Sequence, residues 1–287
     1  MKSFLGVSIA LLFAAATARA QTDSATVADA KWETVKIAPG IKLKKAWFNK
    51  NLFSANQNIS ILEVKQRKKH PIGLGFSPKE LIRTSDFGKR EDALAAINGT
   101  FFDVRNGGSV DFLRANGEII NRNRLNKNGS RAIHQKAAIV ITDGRLDIKE
   151  WDGSENWEEN LAGTDVMLSG PLMITDGKEN TLDSTAFVKL RHPRSAVAVK
   201  NNKVYFITVD GRNEKAAGMS LTELRSVMKW LKMDEALNLD GGGSTAMWIS
   251  GQPDNGVINF PSDNKKWDHA GERKVANVVL VKKRLRR

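Results

Sequence analysis

The segment from Ala236 to Trp248 constrains the fold of this 287-residue chain more than any other stretch. An apolar strand pattern that ends in Asp240 is interrupted by Gly241, Gly242 and Gly243 and then resumes as a second short strand. Glycine loses more backbone entropy on folding than other residues, so three in a row indicate a need for positive φ angles or bare backbone. Successive N–H groups in such a turn can form a concave anion site. The segment predicts either a ligand-binding loop or a tight turn in which Asp240 bonds its own backbone.

The N-terminus predicts export. Lys2 precedes an apolar run at residues 4–16, and residues 18–20 read Ala-Arg-Ala. A positive start, a short apolar run and an A-x-A end are typical of a secretory signal peptide, whereas a membrane span needs a longer run. We therefore predict that residues 1–20 are removed after Ala20 and that the protein is periplasmic or secreted, with no transmembrane segment. The alternative is a buried N-terminal helix.

The composition narrows the classes of partner. The chain contains no cysteine, which excludes a disulfide framework and a thiolate metal site and suits a bacterial periplasm or exterior. The formal net charge is +13. Outside the cell, this charge favours anionic glycans or envelope phosphates over nucleic acid as partners. Basic residues cluster only at residues 65–69 and 282–287, so most of them belong to a solvated surface.

Apolar alternation and frequent turn signals predict an α+β fold, with a mixed, mostly antiparallel β-sheet core, many hairpins and a few flanking helices. The predicted hairpin turns are Asn116-Gly117, Asp143-Gly144, Asp176-Gly177 and Asn201-Asn202. Ser220 and Glu223 form a capping box, and the apolar residues that follow at helical spacing predict a helix. We predict a flexible leader at residues 21–31 and one domain at residues 32–287, while the oligomeric state stays open.

Polar residues beside apolar strands form the candidate site. The sequence contains no Walker A motif, no H-E-x-x-H, no G-x-S-x-G and no G-x-G-x-x-G after a strand, and its histidines lack metal-ligand spacing. What remain are strand-end side chains, namely Asn98, Arg194, Asp210, Arg212 and Asp240. Each of them alone is typical of a turn or a structural ion pair. Together they predict a pocket with two carboxylates, two guanidiniums and an amide beside the glycine loop.

Five segments resemble the phosphodiester glycosidase family. They follow one another in the order of that family, at residues 96–102, 170–172, 192–197, 209–212 and 238–245. The most specific pair is Asn-Gly-x-Phe-Phe at residues 98–102 with Asp-Gly-Gly-Gly-Ser at residues 240–244. The chain departs from the usual family pattern at Thr100, where a second glycine is common, and at Ser195, where threonine is common. The resemblance implies an enzyme that requires no metal or other cofactor.

The resemblance also implies a reaction, which is hydrolysis of the bond between a sugar anomeric carbon and a phosphodiester in envelope or extracellular glycans. Asp210 and Asp240 are then the catalytic pair, because carboxylates stabilise or trap oxocarbenium-like transition states. The implied substrate-binding residues are Asn98, Gly99, Arg194, Arg212, Gly241, Gly242, Gly243 and Ser244. Among them the arginines would hold the phosphate through their planar forks, and the Asn98 amide would bind the sugar.

Two other functions remain open at this point. One is a non-catalytic binder of an anionic glycan or exopolysaccharide, and the other is an O-glycosidase that acts on an acidic polysaccharide. Release of sugar from a sugar-phosphodiester, but not from the matching alkyl glycoside, would separate them from the implied enzyme.

Overall fold

A computed structural model describes residues 22–283 of the chain, so the predicted signal peptide at residues 1–20 lies outside the described part. The helices are α1 (residues 22–28), α2 (Thr84–Arg90), α3 (Trp157–Asn160), α4 (Ala186–Lys189) and α5 (Leu221–Trp230). Three 3-10 helices cover Ile133–Gln135, Gly242–Ser244 and Asp254–Gly256. Within residues 22–283, no helix has both the length and the apolar character of a membrane span.

Strands make up most of the regular structure. They are β1 (Glu33–Ala38), β2 (Ile41–Leu52), β3 (Ala55–Lys65), β4 (Ile72–Phe76), β5 (Ile82–Arg83), β6 (Ala93–Asn98), β7 (Leu113–Ala115), β8 (Glu118–Asn121), β9 (Ala137–Thr142), β10 (Arg145–Glu150), β11 (Asp165–Leu168), β12 (Leu172–Thr175), β13 (Lys178–Glu179), β14 (Arg194–Lys200), β15 (Lys203–Val209), β16 (Glu235–Asn238), β17 (Met247–Ile249), β18 (Lys274–Val275) and β19 (Asn277–Lys282).

These strands form four sheets. The largest has eight strands in the order β1-β2-β3-β15-β14-β16-β12-β13, and a five-stranded sheet runs β10-β9-β11-β7-β8. A four-stranded sheet runs β17-β6-β19-β4, and β18 pairs with β5. The strand pairs of the described chain are antiparallel. The predicted α+β class with mostly antiparallel sheets and few helices is confirmed.

The local turn and cap signals correspond to real elements. The four predicted hairpins join β7 to β8, β9 to β10, β12 to β13 and β14 to β15. At Asn116-Gly117, for example, both residues have positive φ, 52° and 83°, as a tight hairpin turn requires. Helix α5 begins at the predicted capping box, where the Ser220 hydroxyl accepts from the Glu223 N–H at 3.1 Å and the Glu223 carboxylate accepts from the Ser220 N–H at 2.9 Å.

Helix α1 replaces the flexible leader that the sequence predicted at residues 21–31. Val27 is 1% exposed and packs in the cluster formed with Phe48 on one face of the eight-stranded sheet. The Asp23 carboxylate accepts a hydrogen bond from the N–H of Phe53 at 2.9 Å. The small, polar composition obscured this element because a single apolar side chain and one carboxylate hold it to the sheet.

Two apolar layers surround the eight-stranded sheet. One face packs against the five- and four-stranded sheets, and the other face is covered by α1, α4 and α5. The register aligns the strand ends, because Arg194 lies opposite Val209 and Ala196 lies opposite Asn238. Arg194 and the residues that follow β15 and β16 therefore share one end of the sheet, which we call the site end.

Candidate active site

The glycine loop bridges two sheets at the site end. The Leu239 N–H donates to the Ser195 carbonyl of β14 at 2.9 Å. The Asp240 N–H donates to the Gly99 carbonyl at 3.0 Å, immediately after β6 of the four-stranded sheet. These two bonds hold the backbone of Asp240 between the eight- and four-stranded sheets.

Asn98 is enclosed and fixes this bridge from below. Its side chain is 0% exposed. Its amide nitrogen donates to the Asp240 carbonyl at 2.7 Å, and its amide oxygen accepts from the Ser195 hydroxyl at 2.6 Å and the Ala246 N–H at 3.2 Å. The predicted hydrogen bond from Asn98 to a sugar does not suit this geometry, because no part of the side chain reaches the surface. Asn98 positions the loop that carries Asp240.

Gly99 has a steric role beside Asn98. A Cβ atom at this position would lie 2.1 Å from Oδ1 of Asn277, which is too close for any side chain. That amide oxygen accepts from the Thr100 N–H at 2.7 Å, so it cannot move without breaking a buried hydrogen bond. The glycine of the Asn-Gly motif therefore permits close packing of β6 against β19.

Asp240 presents the partly exposed carboxylate of the site. Burial raises the pKa of its carboxyl group, while the Ser244 hydroxyl, the Gly241 N–H and the charge of Arg273 favour the ionised form. The Gly241 N–H donates to Oδ1 of Asp240 at 2.9 Å. The Ser244 hydroxyl faces the carboxylate without a hydrogen bond of normal geometry and is itself buried. A carboxylate with a raised pKa beside fixed donors is suited to catalysis.

Asp210, the other predicted catalytic carboxylate, lies in a different environment. It is 1% exposed, and burial raises its pKa to about 7. Its Oδ2 accepts from the Asn58 amide at 3.1 Å, and its Oδ1 accepts from the Asn259 amide at 3.1 Å and the Phe260 N–H at 2.8 Å. The structure thus brings one accessible carboxylate to the site, and Asp210 joins β3, β15 and the segment at residues 259–260.

Arg194 is a buried cation with polar but uncharged partners. It is 1% exposed. Its Nε donates to the Met219 carbonyl at 2.9 Å, and its Nη2 donates to the carbonyls of Phe187 and Leu190 at 2.7 and 2.9 Å. Within residues 22–283, Arg194 forms no ion pair and its Nη1 donates no hydrogen bond. Burial and the nearby charge of Arg212 lower its pKa to about 10, so it remains charged at neutral pH.

Arg212 adds a second positive charge beside the glycine loop. It is exposed, has a φ of 61° and has no carboxylate partner in the described part of the chain. Its guanidinium lies against Gly242, where a Cβ atom would be 2.9 Å from Nη2. The pKa of His192 is lowered by burial and by the charges of Arg194 and Arg212, which indicates that three basic groups share this region.

Each glycine of the loop is small because a neighbour occupies the space of a side chain. A Cβ atom on Gly241 would lie 2.8 Å from the Pro193 carbonyl, and one on Gly243 would lie 2.5 Å from the Asp263 carboxylate. The predicted anion-binding role of the backbone is weakened, because the Gly241 N–H donates to Asp240 and the Gly242 N–H donates to the Pro193 carbonyl at 2.8 Å. The side chains beside the loop, rather than its N–H groups, carry the positive charge.

Sequence reasoning missed several side chains that complete the site. Arg273 pairs with Asp263 at 2.6 Å over the glycine loop, and its charge acts on Asp240. Next to Arg194, the ring of Phe187 stacks on the guanidinium at 5.0 Å and contacts Phe101 at 6.1 Å. These residues are distant in sequence from the strand ends, and of the three missed outright, Arg273, Asp263 and Phe187, none stands in a recognisable motif.

Comparison with known proteins identifies the class. A model of the phosphodiester glycosidase family matches residues 91–282, and the chain belongs to that family. N-acetylglucosamine-1-phosphodiester alpha-N-acetylglucosaminidase of Mus musculus is 25% identical over 199 residues, which cover 65% of this chain and 37% of the mouse protein. The chain therefore spans little more than a third of the length of that relative.

Two solved structures share the fold. The catalytic domain of zebrafish N-acetylglucosamine-1-phosphodiester alpha-N-acetylglucosaminidase, auto-inhibited by its pro-peptide, superposes with a TM-score of 0.66 at 19% identity, covering 88% of each chain. A hypothetical protein from Synechocystis superposes with a TM-score of 0.63 at 16% identity, covering 88% of this chain and 64% of the other. The resemblance inferred from the five sequence segments is confirmed.

Proposed function

We propose that this protein hydrolyses the bond between a sugar anomeric carbon and a phosphodiester. The observation that carries the proposal is Arg194, a guanidinium that is 1% exposed and lacks an ion-pair partner in the described chain. A buried charge without a counterion is costly, so this environment favours an anionic ligand. A phosphodiester supplies one negative charge and several acceptor oxygens, which suit Nη1 of Arg194 and the exposed fork of Arg212.

In the proposed reaction, water adds to the anomeric carbon as the bond from that carbon to the phosphate oxygen breaks. The bonding electrons leave with the phosphate, which becomes a monoester, and the proton lost by the water leaves the sugar hydroxyl neutral. Asp240 stabilises the oxocarbenium-like transition state, while Arg194 and Arg212 stabilise the charge that develops on the phosphate. Phosphate is a good leaving group, so a strong general acid is not required.

Asp210 takes a positioning role in this proposal. Its carboxylate already accepts three hydrogen bonds and is 1% exposed, so a substrate has no route to it. The nature of the second catalytic group therefore differs from the carboxylate pair predicted from the sequence. We expect Asp240→Asn to abolish hydrolysis and Asp210→Asn to retain more of it, with both variants checked for folding by circular dichroism.

The function is tested with a panel of sugar-1-(methyl phosphate) diesters and the matching methyl glycosides. We expect release of free sugar from a phosphodiester and none from its methyl glycoside, with the release lost in Asp240→Asn. Equal cleavage of both probes would support an O-glycosidase instead. Binding of sugar-1-phosphates without cleavage of any probe would support a non-catalytic anionic glycan binder.

We also propose that the protein is exported and acts on envelope or extracellular glycans. The tripartite pattern of residues 1–20 supports this location. Mass spectrometry of the protein from a periplasmic or culture fraction should find a mature chain that begins at Gln21. A full-length chain retained in the cytoplasm would contradict the proposal.

A further inference from the structure

Four aromatic rings form a continuous contact series beside the proposed active site. Trp47 meets Trp267 edge-on at a centroid distance of 5.8 Å, Trp267 stacks on Phe260 at 4.2 Å, and Phe260 contacts His269 at 4.2 Å. We call this series the aromatic ladder. Trp47 is 50% exposed, whereas most large apolar side chains of the described residues are buried. An exposed aromatic platform of this kind is more typical of a binding site than of a packing core.

The aromatic ladder is held rigidly by the same carboxylate that ends β15. Trp47 of β2 lies opposite Asn58 of β3, and the Asn58 amide donates to Asp210. Asp210 in turn accepts the N–H of Phe260 at 2.8 Å. A closed circuit of contacts therefore links both ends of the ladder to Asp210. This explains why a fully buried carboxylate stands two residues before Arg212.

The position of the aromatic ladder relative to Arg194 follows from the strand order. Trp47 on β2 and Arg194 on β14 both lie at the site end, separated by β3 and β15. Neighbouring strands are about 4.8 Å apart, so three steps across the sheet amount to roughly 14 Å. A phosphate held by Arg194 does not itself span this distance. A ligand that touches both places must continue beyond the phosphate.

The surroundings of Trp47 indicate what kind of group it binds. An open depression of about 570 Å³ beside it is lined by Trp47, Asn49, Lys50, Asn56, Glu214 and Lys215. It combines one aromatic face with amides and two lysines against a single carboxylate. An acyl chain would require an enclosed apolar groove, which this open, polar depression does not provide. An aromatic face among hydrogen-bonding and cationic groups suits a sugar ring that carries or neighbours negative charge.

We propose that the aromatic ladder and this depression form an extended subsite for a saccharide on the far side of the phosphate from the cleaved sugar. The substrate is then a phosphate-linked glycan chain rather than a small sugar phosphodiester. This inference rests on the proposed function, because it uses the phosphate position at Arg194 and Arg212. The segment that carries Arg212 continues directly into Glu214 and Lys215, so the subsite adjoins the proposed phosphate site.

The test compares two probes that share the same cleaved sugar, one with a methyl group and one with an oligosaccharide on the other side of the phosphate. In Trp47→Ala, we expect KM for the oligosaccharide probe to rise about tenfold, as truncation of an aromatic anchor typically causes, and KM for the methyl probe to stay unchanged. Leu125→Ala is the control, because Leu125 is equally exposed, at 50%, on the five-stranded sheet region away from the ladder.

The remaining outcomes separate this inference from the proposed function. If neither probe is cleaved, isothermal titration with a phosphorylated oligosaccharide still tests the subsite, and we expect weaker binding by Trp47→Ala than by the wild type. Equal effects of Trp47→Ala on both probes, or no effect on either, would overturn the subsite. A Trp47-dependent preference for a dodecyl phosphodiester over the oligosaccharide probe would replace the saccharide with a lipid.

Discussion

Arg194 shows how a single buried residue can hold a charge ready for a ligand. Two of its nitrogens donate to backbone carbonyls of Phe187, Leu190 and Met219, which fixes the plane of the guanidinium. Lysine could not replace this fork, because one ammonium cannot reach three carbonyls and a phosphate at once. The three carbonyl bonds stabilise the residue in the free protein, and the remaining Nη1 favours binding of an anion.

Arg212 gives the cleaner residue-level prediction, because it is exposed and its replacement should leave the fold intact. We expect Arg212→Gln to change the free energy of unfolding by less than about 0.5 kcal/mol. It should weaken binding of inorganic phosphate several-fold and lower kcat/KM for sugar phosphodiesters, since one phosphate contact is lost. Isothermal titration and initial rates measure these effects. Arg67→Gln, at the opposite end of β3, is the control, and an equal loss in both variants would show a nonspecific charge effect.

At the scale of elements, the glycine loop illustrates how a turn can be specified by its neighbours. Its backbone is bonded within the loop and to Pro193, and the space of each missing side chain is filled by another group. Only Gly242 has a positive φ, 62°, so the other two glycines are required for space rather than for conformation. The loop therefore supports the basic side chains of the site more than it binds the ligand itself.

Gly242→Ala tests this view of the loop. Its Cβ would meet Arg212 at 2.9 Å, whereas Gly251 has a similar φ of 77° and nothing within 4 Å. Both alanine variants should lose about 1 kcal/mol of stability from backbone strain. Only Gly242→Ala should also reduce phosphate affinity, because it displaces the guanidinium. Chemical denaturation and phosphate titration of the two variants provide the comparison, and equal phosphate affinity would contradict the proposed position of Arg212.

Helix α1 gives a second prediction at this scale. Val27 is 1% exposed, so Val27→Ala should lower the free energy of unfolding by roughly 1 kcal/mol through lost burial and a small cavity. Ala28→Ser on the exposed side of the same helix should have little effect. Urea denaturation of the mature protein measures both changes. If Val27→Ala were as stable as the wild type, the segment would be the flexible leader that its composition predicts.

At the scale of the whole molecule, Asp210 couples stability to pH. Burial raises its pKa from 3.8 to about 7, so between these values the folded state binds a proton that the unfolded state has lost. The contribution of this group to stability is therefore present below pH 3.8 and is lost as the pH rises to about 7. Asp210→Asn cannot ionise, and this component of the pH dependence should disappear.

We expect the loss of stability between pH 4.5 and pH 7.5 to be smaller in Asp210→Asn than in the wild type, by a difference on the order of 3 kcal/mol. Urea denaturation at the two pH values measures it. Asp143→Asn, at an exposed hairpin turn, is a matched control that should follow the wild type. Identical slopes for Asp210→Asn and the wild type would mean that Asp210 stays ionised in the folded protein.

The sequence by itself determined the local structure of this protein and its family. Hairpin turns and the capping box of α5 depend on neighbouring residues, and the quoted motifs specify the family through contiguous segments, so these features can be read from the chain. It also identified Asp240, Arg194 and Arg212 as residues of the site end, because polar side chains after apolar strands emerge at the rim of a sheet.

Only the tertiary structure decided which of these groups are accessible and what surrounds them. Burial separates Asp210 from Asp240, although both follow apolar strands and look equivalent in the sequence. Arg273, Phe187 and the aromatic ladder reach the site from distant segments, through packing between sheets that no local pattern encodes. The pKa of a carboxyl group and the partners of a guanidinium depend on desolvation and long-range contacts, and these exist only once the sheets have assembled.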